Sequence, residues 1–267
     1  SLEEDLGRRD LTINALGLSS DGRIIDPWGG TVDLSAGILR FTGNPGARLE
    51  EDPLRGVRLG RFASWFPRFT IDEPSALECG RFAEPVGSLP LQRTGKEILL
   101  SLEEDPALFV RTLQGLGLLE AVIPFWASLA ETEKTFSLRW TATATEMTGD
   151  RGIRALAMLA SAGENIREIC TSWCWPAGLA KDVENLARSR TITFGQLDSR
   201  IFAKLFDSMG PEWMDRLFLA GLTEGVSIDD RRETTGRWAD NRVKAALWSS
   251  RLQKNSGIVS GEDIMLS

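Results

Sequence analysis

The spacing of apolar and polar positions divides the chain into a short β-containing start and a long helical remainder. A helix is predicted near residues 2–8. Alternation over residues 11–18 predicts a strand, the turn formers at 20–22 predict a hairpin, and residues 23–26 predict the returning strand. Residues 38–42 predict one more short strand, after which β structure largely stops.

From Pro53 onward the periodicity is helical. Asp52 is predicted to be an N-cap with Pro53 in the first turn, and the helix should run to about Phe66, where Pro67 ends it. Glycine and proline positions delimit further predicted helices near 74–83, 91–103, 106–114, 117–130, 136–147, 151–161, 164–173, 177–188, 195–208, 211–223 and 231–253. The expected fold class is therefore mainly α with a small β segment.

Composition changes this picture little. The 267 residues suffice for real cores, and 42% hydrophobic with 26% charged residues is ordinary for a globular protein. The net charge of −7 means that a phosphate-bearing partner would need a local basic surface. Acidic residues balance the arginines of the first seventy residues, so charge neither proves nor excludes RNA binding.

The absence of histidine excludes Ser-His-Asp and Cys-His catalysis and any histidine-ligated metal. Cys79, Cys170 and Cys174 are too few for a disulfide scaffold, and they favour a reducing, cytoplasmic setting. We expect all three thiols to be buried rather than to bind zinc, although Cys170 and Cys174 could share a helix face. No apolar run is long enough to span a bilayer, so no membrane partner is expected.

The segment Glu51-Asp52-Pro53-Leu54-Arg55 carries the most informative chemistry. Asp52 and Arg55 lie three apart on a helix, where side chains share a side. A carboxylate accepts hydrogen bonds and a guanidinium donates them. Cytosine and adenine each present an amine beside an acceptor ring nitrogen, whereas guanine and uracil present the reverse order. The pair can therefore select C and A together. The simpler interpretation is an N-cap at Asp52 and a surface Arg55 paired with Glu51.

Two more arginine groups are candidates for nucleotide contacts. Arg58 and Arg61 lie beside Trp65 and could meet phosphates or orient the pair; the alternative is a solvated, salt-bridged stripe. Arg9 could bind a triphosphate and Asp10 could accept from a ribose hydroxyl. Arg-Arg-Asp alone is also a common surface cluster. Asn14 is expected to hold the backbone rather than a ligand.

Three motifs in order resemble the class II tRNA nucleotidyltransferase and poly(A) polymerase family, most closely its CCA-adding enzymes. They are Arg8-Arg9-Asp10-Leu11-Thr12-Ile13-Asn14-Ala15, then Asp26-Pro27-Trp28-Gly29-Gly30 with Asp33-Leu34, then Glu51-Asp52-Pro53-Leu54-Arg55. Leu11 and Trp28 each replace the family's phenylalanine. The likeness is strong to about residue 72 and faint beyond.

The resemblance implies the C-terminal part of a nucleotidyltransferase head at 1–42, a helical neck with the nucleotide-selecting helix at 43–105, a helical body at 106–215 and a helical tail at 216–267. It implies addition of CMP and AMP to the tRNA 3′ end from CTP and ATP, with Mg²⁺ held by an Asp-x-Asp pair upstream. The chain starts after that pair, so we expect a fragment that is inactive alone and has no metal ligands or catalytic residues of its own.

Alternatives remain at this point. A poly(A) polymerase, or an A-adding or CC-adding enzyme, shares the base-reading residues. A non-catalytic RNA-binding module that inherited the fold is a different class. The sequence does not predict an oligomeric state.

Overall fold

The computed structural model describes residues 2–190 together with residues 216, 219, 220 and 223. Its described part is mainly helical, as the periodicity predicts, and contains four two-residue strands. The first helices are α1 (Leu2–Gly7), α2 (Gly30–Ala36), α3 (Pro45–Glu51), α4 (Leu54–Trp65), α5 (Glu73–Arg81), α6 (Ala83–Gly87) and α7 (Leu91–Ser101). They are followed by α8 (Pro106–Gly115), α9 (Leu119–Val122), α10 (Glu131–Met147), α11 (Arg151–Met158), α12 (Ile166–Ser172) and α13 (Ala177–Arg190). Short 3₁₀ segments occupy Thr12–Asn14, Pro124–Ser128 and Ala160–Asn165.

The strands form two small pairs. Strands β1 (Gly17–Leu18) and β2 (Ile24–Ile25) form the predicted antiparallel hairpin. Strands β3 (Ile38–Leu39) and β4 (Thr70–Ile71) pair in parallel. β4 was not expected, because β structure was predicted to stop before it. A two-residue strand is too short to show alternation in a sequence.

The prediction of a strand over residues 11–18 is wrong for most of its length. Leu11, which forms an isolated antiparallel bridge with Phe41, and β1 are extended, whereas Thr12–Asn14 turns in a 3₁₀ helix. The Asn14 side chain accepts from the Leu11 N–H at 3.1 Å, as expected for a backbone-holding asparagine. The Thr12 hydroxyl donates to buried Asp33 at 2.6 Å. Local side-chain bonds thus compete with the strand.

Predicted and observed helices differ in a few places. α2, α3 and α6 were not predicted, and the expected helix over 117–130 is broken at Pro124, which lacks the N–H that a helix interior needs. α10 begins at Glu131, earlier than expected. The predicted helices at 195–208, 211–223 and 231–253 fall outside the described residues, except that residues 216, 219, 220 and 223 are helical.

The chain divides into two compact units, residues 1–138 with 168–175, and residues 139–167 with 176–267. In the first unit α4 packs on α8. A Cβ at Gly56 would stand 2.9 Å from Leu118, and one at Gly60 would stand 2.9 Å from Leu113. These two glycines, one turn apart, therefore let the backbone of α4 approach the apolar side chains closely.

In the described part of the second unit, α11 packs on α13. Asp150 caps α11 by accepting from the Ile153 N–H at 3.0 Å. Arg216 donates to Asp150 at 2.7 Å and pairs with Asp182. Burial alone would raise the pKa of Asp150, but the hydrogen bonds and positive charge of Arg216, together with the backbone N–H groups of Ile153 and Gly152, outweigh it and hold that pKa below its usual value.

The expectation of three buried thiols holds for Cys79 and Cys170, and is wrong for Cys174. α12 ends at Ser172, so Cys174 lies beyond the helix and is exposed. Burial raises the pKa of Cys79 to about 12 and that of Cys170 to about 12. Within the described residues, no helix is long and apolar enough to cross a membrane.

Candidate functional site

Helix α4 carries three arginines at three-residue intervals, Arg55, Arg58 and Arg61. The helix begins at Leu54 and ends at Trp65, close to the predicted bounds. Pro53 takes the N-cap position, and Asp52 is the C-cap of α3 with an extended backbone. Asp52 nevertheless assists the start of α4, because its carboxylate accepts from the Leu54 N–H at 3.2 Å.

Arg55 is buried, with 8% of its surface exposed. Its Nε donates to Asp10 at 3.2 Å, and its Nη2 donates to the carbonyl oxygen of Arg8 at 2.9 Å. Its Nη1 donates to Glu51 at 2.6 Å and to the carbonyl oxygen of Arg48 at 3.0 Å. The pairing with Glu51 agrees with the simpler interpretation of the sequence, but Arg55 is no surface residue.

Asp10 joins the first motif to α4. Its carboxylate accepts from Arg55 and also from Arg58 Nη1, at 3.1 Å and 3.3 Å. Arg58 Nε donates to Glu97 at 3.3 Å. Burial opposes the charge of Arg58, but the negative charges of Asp10 and Glu97 outweigh it and raise the pKa of Arg58.

Arg61 is buried and pairs with Glu97 of α7, its Nε donating at 2.5 Å. The guanidinium carbon also lies 4.5 Å from the centroid of Phe62 and 4.4 Å from that of Trp65. This is cation–π geometry. The predicted neighbourhood of Trp65 is confirmed, whereas the alternative of a solvated stripe is wrong for Arg61.

Asp52 pairs with a residue that sequence reasoning missed. Arg93 Nη2 donates to both oxygens of Asp52, at 3.0 Å and 2.8 Å. The structure thus brings Asp52 together with Arg93, while the side chain of Arg55 turns to Asp10 and Glu51. Both Asp52 and Arg55 remain at the junction of α3 and α4.

Arg9 is exposed and makes one described side-chain bond, from Nη1 to the carbonyl oxygen of Asn14 at 3.3 Å. Apart from that contact it is available to a ligand. It lies next to Asp10 in the chain and so places an exposed cation at the edge of the Asp10, Arg55 and Arg58 cluster.

The missed residues Glu97 and Arg93 both lie on α7, four residues apart. Glu97 had a usable signal, because it falls on the apolar side of the helix beside Ile98, and a charge there requires a partner. Arg93 had none, since an exposed arginine near a helix start is unremarkable in a sequence.

The other acidic residues of the first two motifs are engaged structurally. Asp33 accepts from Thr12 at 2.6 Å and from Arg40 at 3.1 Å. Asp26 accepts from the Gly30 and Thr31 N–H groups, and a bond from the Thr31 hydroxyl lowers the pKa of Asp26. Among the described residues, no three acidic or cysteine side chains cluster as metal ligands would.

Comparison with known proteins shows which class of protein the chain resembles. Residues 1–40 match the family model described as the poly A polymerase head domain. This match and the ones below confirm the resemblance to the tRNA nucleotidyltransferase and poly(A) polymerase family, and with it the mainly helical fold attached to a head segment.

Within that class, the matching relatives carry CCA names. A Multifunctional CCA protein of Pseudomonas aeruginosa is 35% identical over 178 residues, which are 65% of this chain and 41% of that protein. One from Herminiimonas arsenicoxydans is 39% identical over 127 residues, 46% of this chain and 30% of the relative. The matched regions thus span about a third of the length of these relatives.

Solved structures agree on the fold. The Bacillus stearothermophilus CCA-adding enzyme in complex with CTP matches with a TM-score of 0.70 and 26% identity, over 90% of this chain and 60% of that one. The Thermotoga maritima CCA-adding enzyme complexed with tRNA matches with a TM-score of 0.62 and 18% identity, over 98% and 67%.

Proposed function

We propose that this chain is the nucleotide-selecting and tRNA-holding part of a CCA-adding tRNA nucleotidyltransferase. The whole enzyme would transfer CMP and AMP from CTP and ATP to the 3′ end of tRNA and release pyrophosphate. The names of the relatives and the CTP complex of a structural neighbour support this assignment. The observation that carries it is the number of hydrogen-bonding positions left open on Asp52 and Arg55.

The acceptor side of the base reader is Asp52. A carboxylate offers about four acceptor positions. Oδ1 accepts from the Leu54 N–H and from Arg93, and Oδ2 accepts from Arg93 alone. Within the described contacts, one position on Oδ2 therefore stays open for the amine of an incoming base.

The donor side is Arg55. A guanidinium has five N–H groups. Bonds to Asp10, Arg48, Glu51 and Arg8 occupy four of them in the described structure, and the open one is on Nη2. Arg55 can thus donate once to a ring nitrogen while its anchoring contacts hold it in place.

One open acceptor and one open donor match the amine and the ring nitrogen of cytosine or adenine. Guanine and uracil offer an oxygen where the amine should be and an N–H where the acceptor should be. One good bidentate contact to a base edge discriminates by roughly 1 to 3 kcal/mol. That is enough to choose a base without a nucleic-acid template.

The remaining candidates support the nucleotide. Exposed Arg9 would contact the triphosphate. Asp10 would accept from the ribose hydroxyl, because Oδ2 accepts only from Arg58 among the described contacts. Arg58 is half-buried and would contribute charge near the phosphates, whereas buried Arg61 would hold α4 on α7.

Chemistry at the phosphorus would come from outside these residues. Mg²⁺ would be held by the Asp-x-Asp carboxylates that the family resemblance implies, and the described residues offer no cluster of three acidic or cysteine side chains that fits it. The head, neck, body and tail boundaries at residues 42, 105 and 215 are part of the proposal. So is a cytoplasmic location, which suits two buried, unpaired thiols.

The test is calorimetry with CTP, ATP, GTP and UTP on the parent enzyme, meaning the protein that carries this chain together with the Asp-x-Asp segment. We expect CTP and ATP to bind and GTP and UTP to bind roughly 5- to 150-fold more weakly, the factor that corresponds to losing one bidentate base contact. The Asp52→Ala variant should lose this preference. Equal binding of all four nucleotides to the unmodified enzyme would refute the base-reading role.

A poly(A) polymerase is the second candidate, favoured by the description of the family model that matches residues 1–40. The base-reading residues cannot separate the two activities. Extension of tRNA lacking its terminal nucleotides decides between them. A product that ends after CCA supports the first proposal, and a long adenylate tract supports the second.

A further inference from the structure

The ion pair between Arg93 and Asp52 joins residues 41 positions apart. Arg93 belongs to the first turn of α7, and its Nη2 bridges both oxygens of the carboxylate. The side chains of Arg93 and Asp52 are 42% and 24% exposed. An ion pair this exposed contributes only about 0 to 1 kcal/mol to stability. Its main physical effect is therefore to fix the orientation of the carboxylate.

Asp52 needs such a restraint. It lies between α3 and α4 with φ −154° and ψ 101°, outside either helix. Without Arg93, the Leu54 N–H would be the only described donor to the carboxylate, and it reaches only Oδ1. A carboxylate turns easily about its terminal torsion. Two contacts from Arg93 fix the carboxylate plane and leave the single open position on Oδ2.

The placement of Arg93 is itself fixed by Glu97. Glu97 follows Arg93 by four residues, so both lie on the same side of α7. Glu97 accepts from Arg58 and Arg61 of α4. The buried pair locks α7 against the helix that begins beside Asp52, and the next turn of α7 then holds Arg93 over the carboxylate.

We infer that Arg93 is a positioning residue for base selection: it orients Asp52 so that a single acceptor position faces the incoming base. The inference rests on the proposed function, because it assumes that Asp52 reads that base. Without Arg93 the carboxylate would have additional open positions and could rotate to accept the ring N–H of uracil. Loss of Arg93 should therefore lower the ratio of kcat/KM for CTP to that for UTP more than it lowers kcat/KM for CTP itself.

The experiment compares Arg93→Ala and Arg93→Lys in the parent enzyme, with Arg111→Ala as the matched control. Arg111 is an exposed arginine of α8 with no described partner. The measurement is kcat/KM for CTP and for UTP on tRNA lacking its terminal nucleotides, together with thermal unfolding. Asp52→Ala is measured in parallel.

For Arg93→Ala we expect the ratio of kcat/KM for CTP to that for UTP to fall about tenfold, because the charge-assisted contact that orients Asp52 is lost. Arg93→Lys should restore part of the ratio, because an ammonium can reach an oxygen but lacks the planar fork. The melting temperature should change little, and Arg111→Ala should leave the ratio unchanged.

Two results overturn the inference. If Asp52→Ala abolishes discrimination while Arg93→Ala lowers kcat/KM for both nucleotides equally, or not at all, Arg93 does not position the reader, and the proposed function stands. If Asp52→Ala itself keeps the ratio, the base-reading role fails, and the inference fails with it.

Discussion

The buried carboxylate of Glu97 provides the sharpest stability test. Its side chain is 4% exposed and accepts from Arg61 at 2.5 Å and from Arg58 at 3.3 Å. Glu97→Ala leaves buried Arg61 without an anion, whereas Arg58 keeps Asp10. Removing one partner of a buried pair costs about 3 to 5 kcal/mol.

The rings beside Arg61 offset part of this cost. Contacts with Phe62 and Trp65, each worth roughly 0.5 to 1 kcal/mol, persist after Glu97 is removed, so the Arg61 cation is not left wholly uncompensated and the cost should fall at the lower end of that range. We therefore expect Glu97→Ala to lower the free energy of unfolding by about 3 kcal/mol, which is a large share of the roughly 5 to 15 kcal/mol typical of a domain. Glu97→Gln, which can still accept one bond, should lose about half as much.

Urea unfolding followed by circular dichroism measures these differences. Glu50→Ala is the matched control, because Glu50 is exposed on α3 and has no described partner. It should change stability by less than about 0.5 kcal/mol. Replacing both partners, as in Arg61→Met with Glu97→Leu, should cost less than Glu97→Leu alone. If Glu97→Ala matches Glu50→Ala to within about 0.5 kcal/mol, the reasoning from burial and pairing is refuted.

Three other predictions follow from particular contacts. Gly95→Ala would place a Cβ 2.4 Å from the Cβ of Trp173 and should clearly lower the melting temperature. Gly115→Ala, whose Cβ would meet nothing within 4 Å, is the control and should not lower it. Equal melting temperatures for the two variants would contradict the close packing at Gly95. A thiol-reactive probe at pH 8 should label Cys174 rapidly and the two buried cysteines only on unfolding, and rapid labelling of all three would argue against the burial. The contacts with Arg216 help to hold the pKa of Asp150 below its unfolded value, so the charged carboxylate stabilises the fold above the usual aspartate range. This stabilisation is lost as pH falls through the folded pKa. Asp150→Asn should therefore flatten this part of an acid unfolding curve, and an unchanged curve would refute the linkage.

The sequence was enough to predict the helical character, the hairpin and the bounds of α4. The hairpin has turn formers between apolar residues, and α4 has a proline near its start and another after its end, so local chemistry specifies both. The likeness to the nucleotidyltransferase family also depended only on short contiguous motifs. Features that depend on residues close together in the sequence can be predicted from the sequence alone.

Other features were unreadable because they depend on contacts between distant positions. β4 is extended because it pairs with β3, although its two residues carry no alternation. Thr12–Asn14 forms a 3₁₀ helix instead of the predicted strand, because side-chain hydrogen bonds with Asp33 and Asn14 replace those of a strand ladder. The partner of Asp52 is Arg93, 41 residues away. The three-residue spacing between Asp52 and Arg55 gave no indication of this pairing. Folding alone brings such charges together, because a buried or half-buried charge binds whichever opposite charge the packing of the helices places beside it.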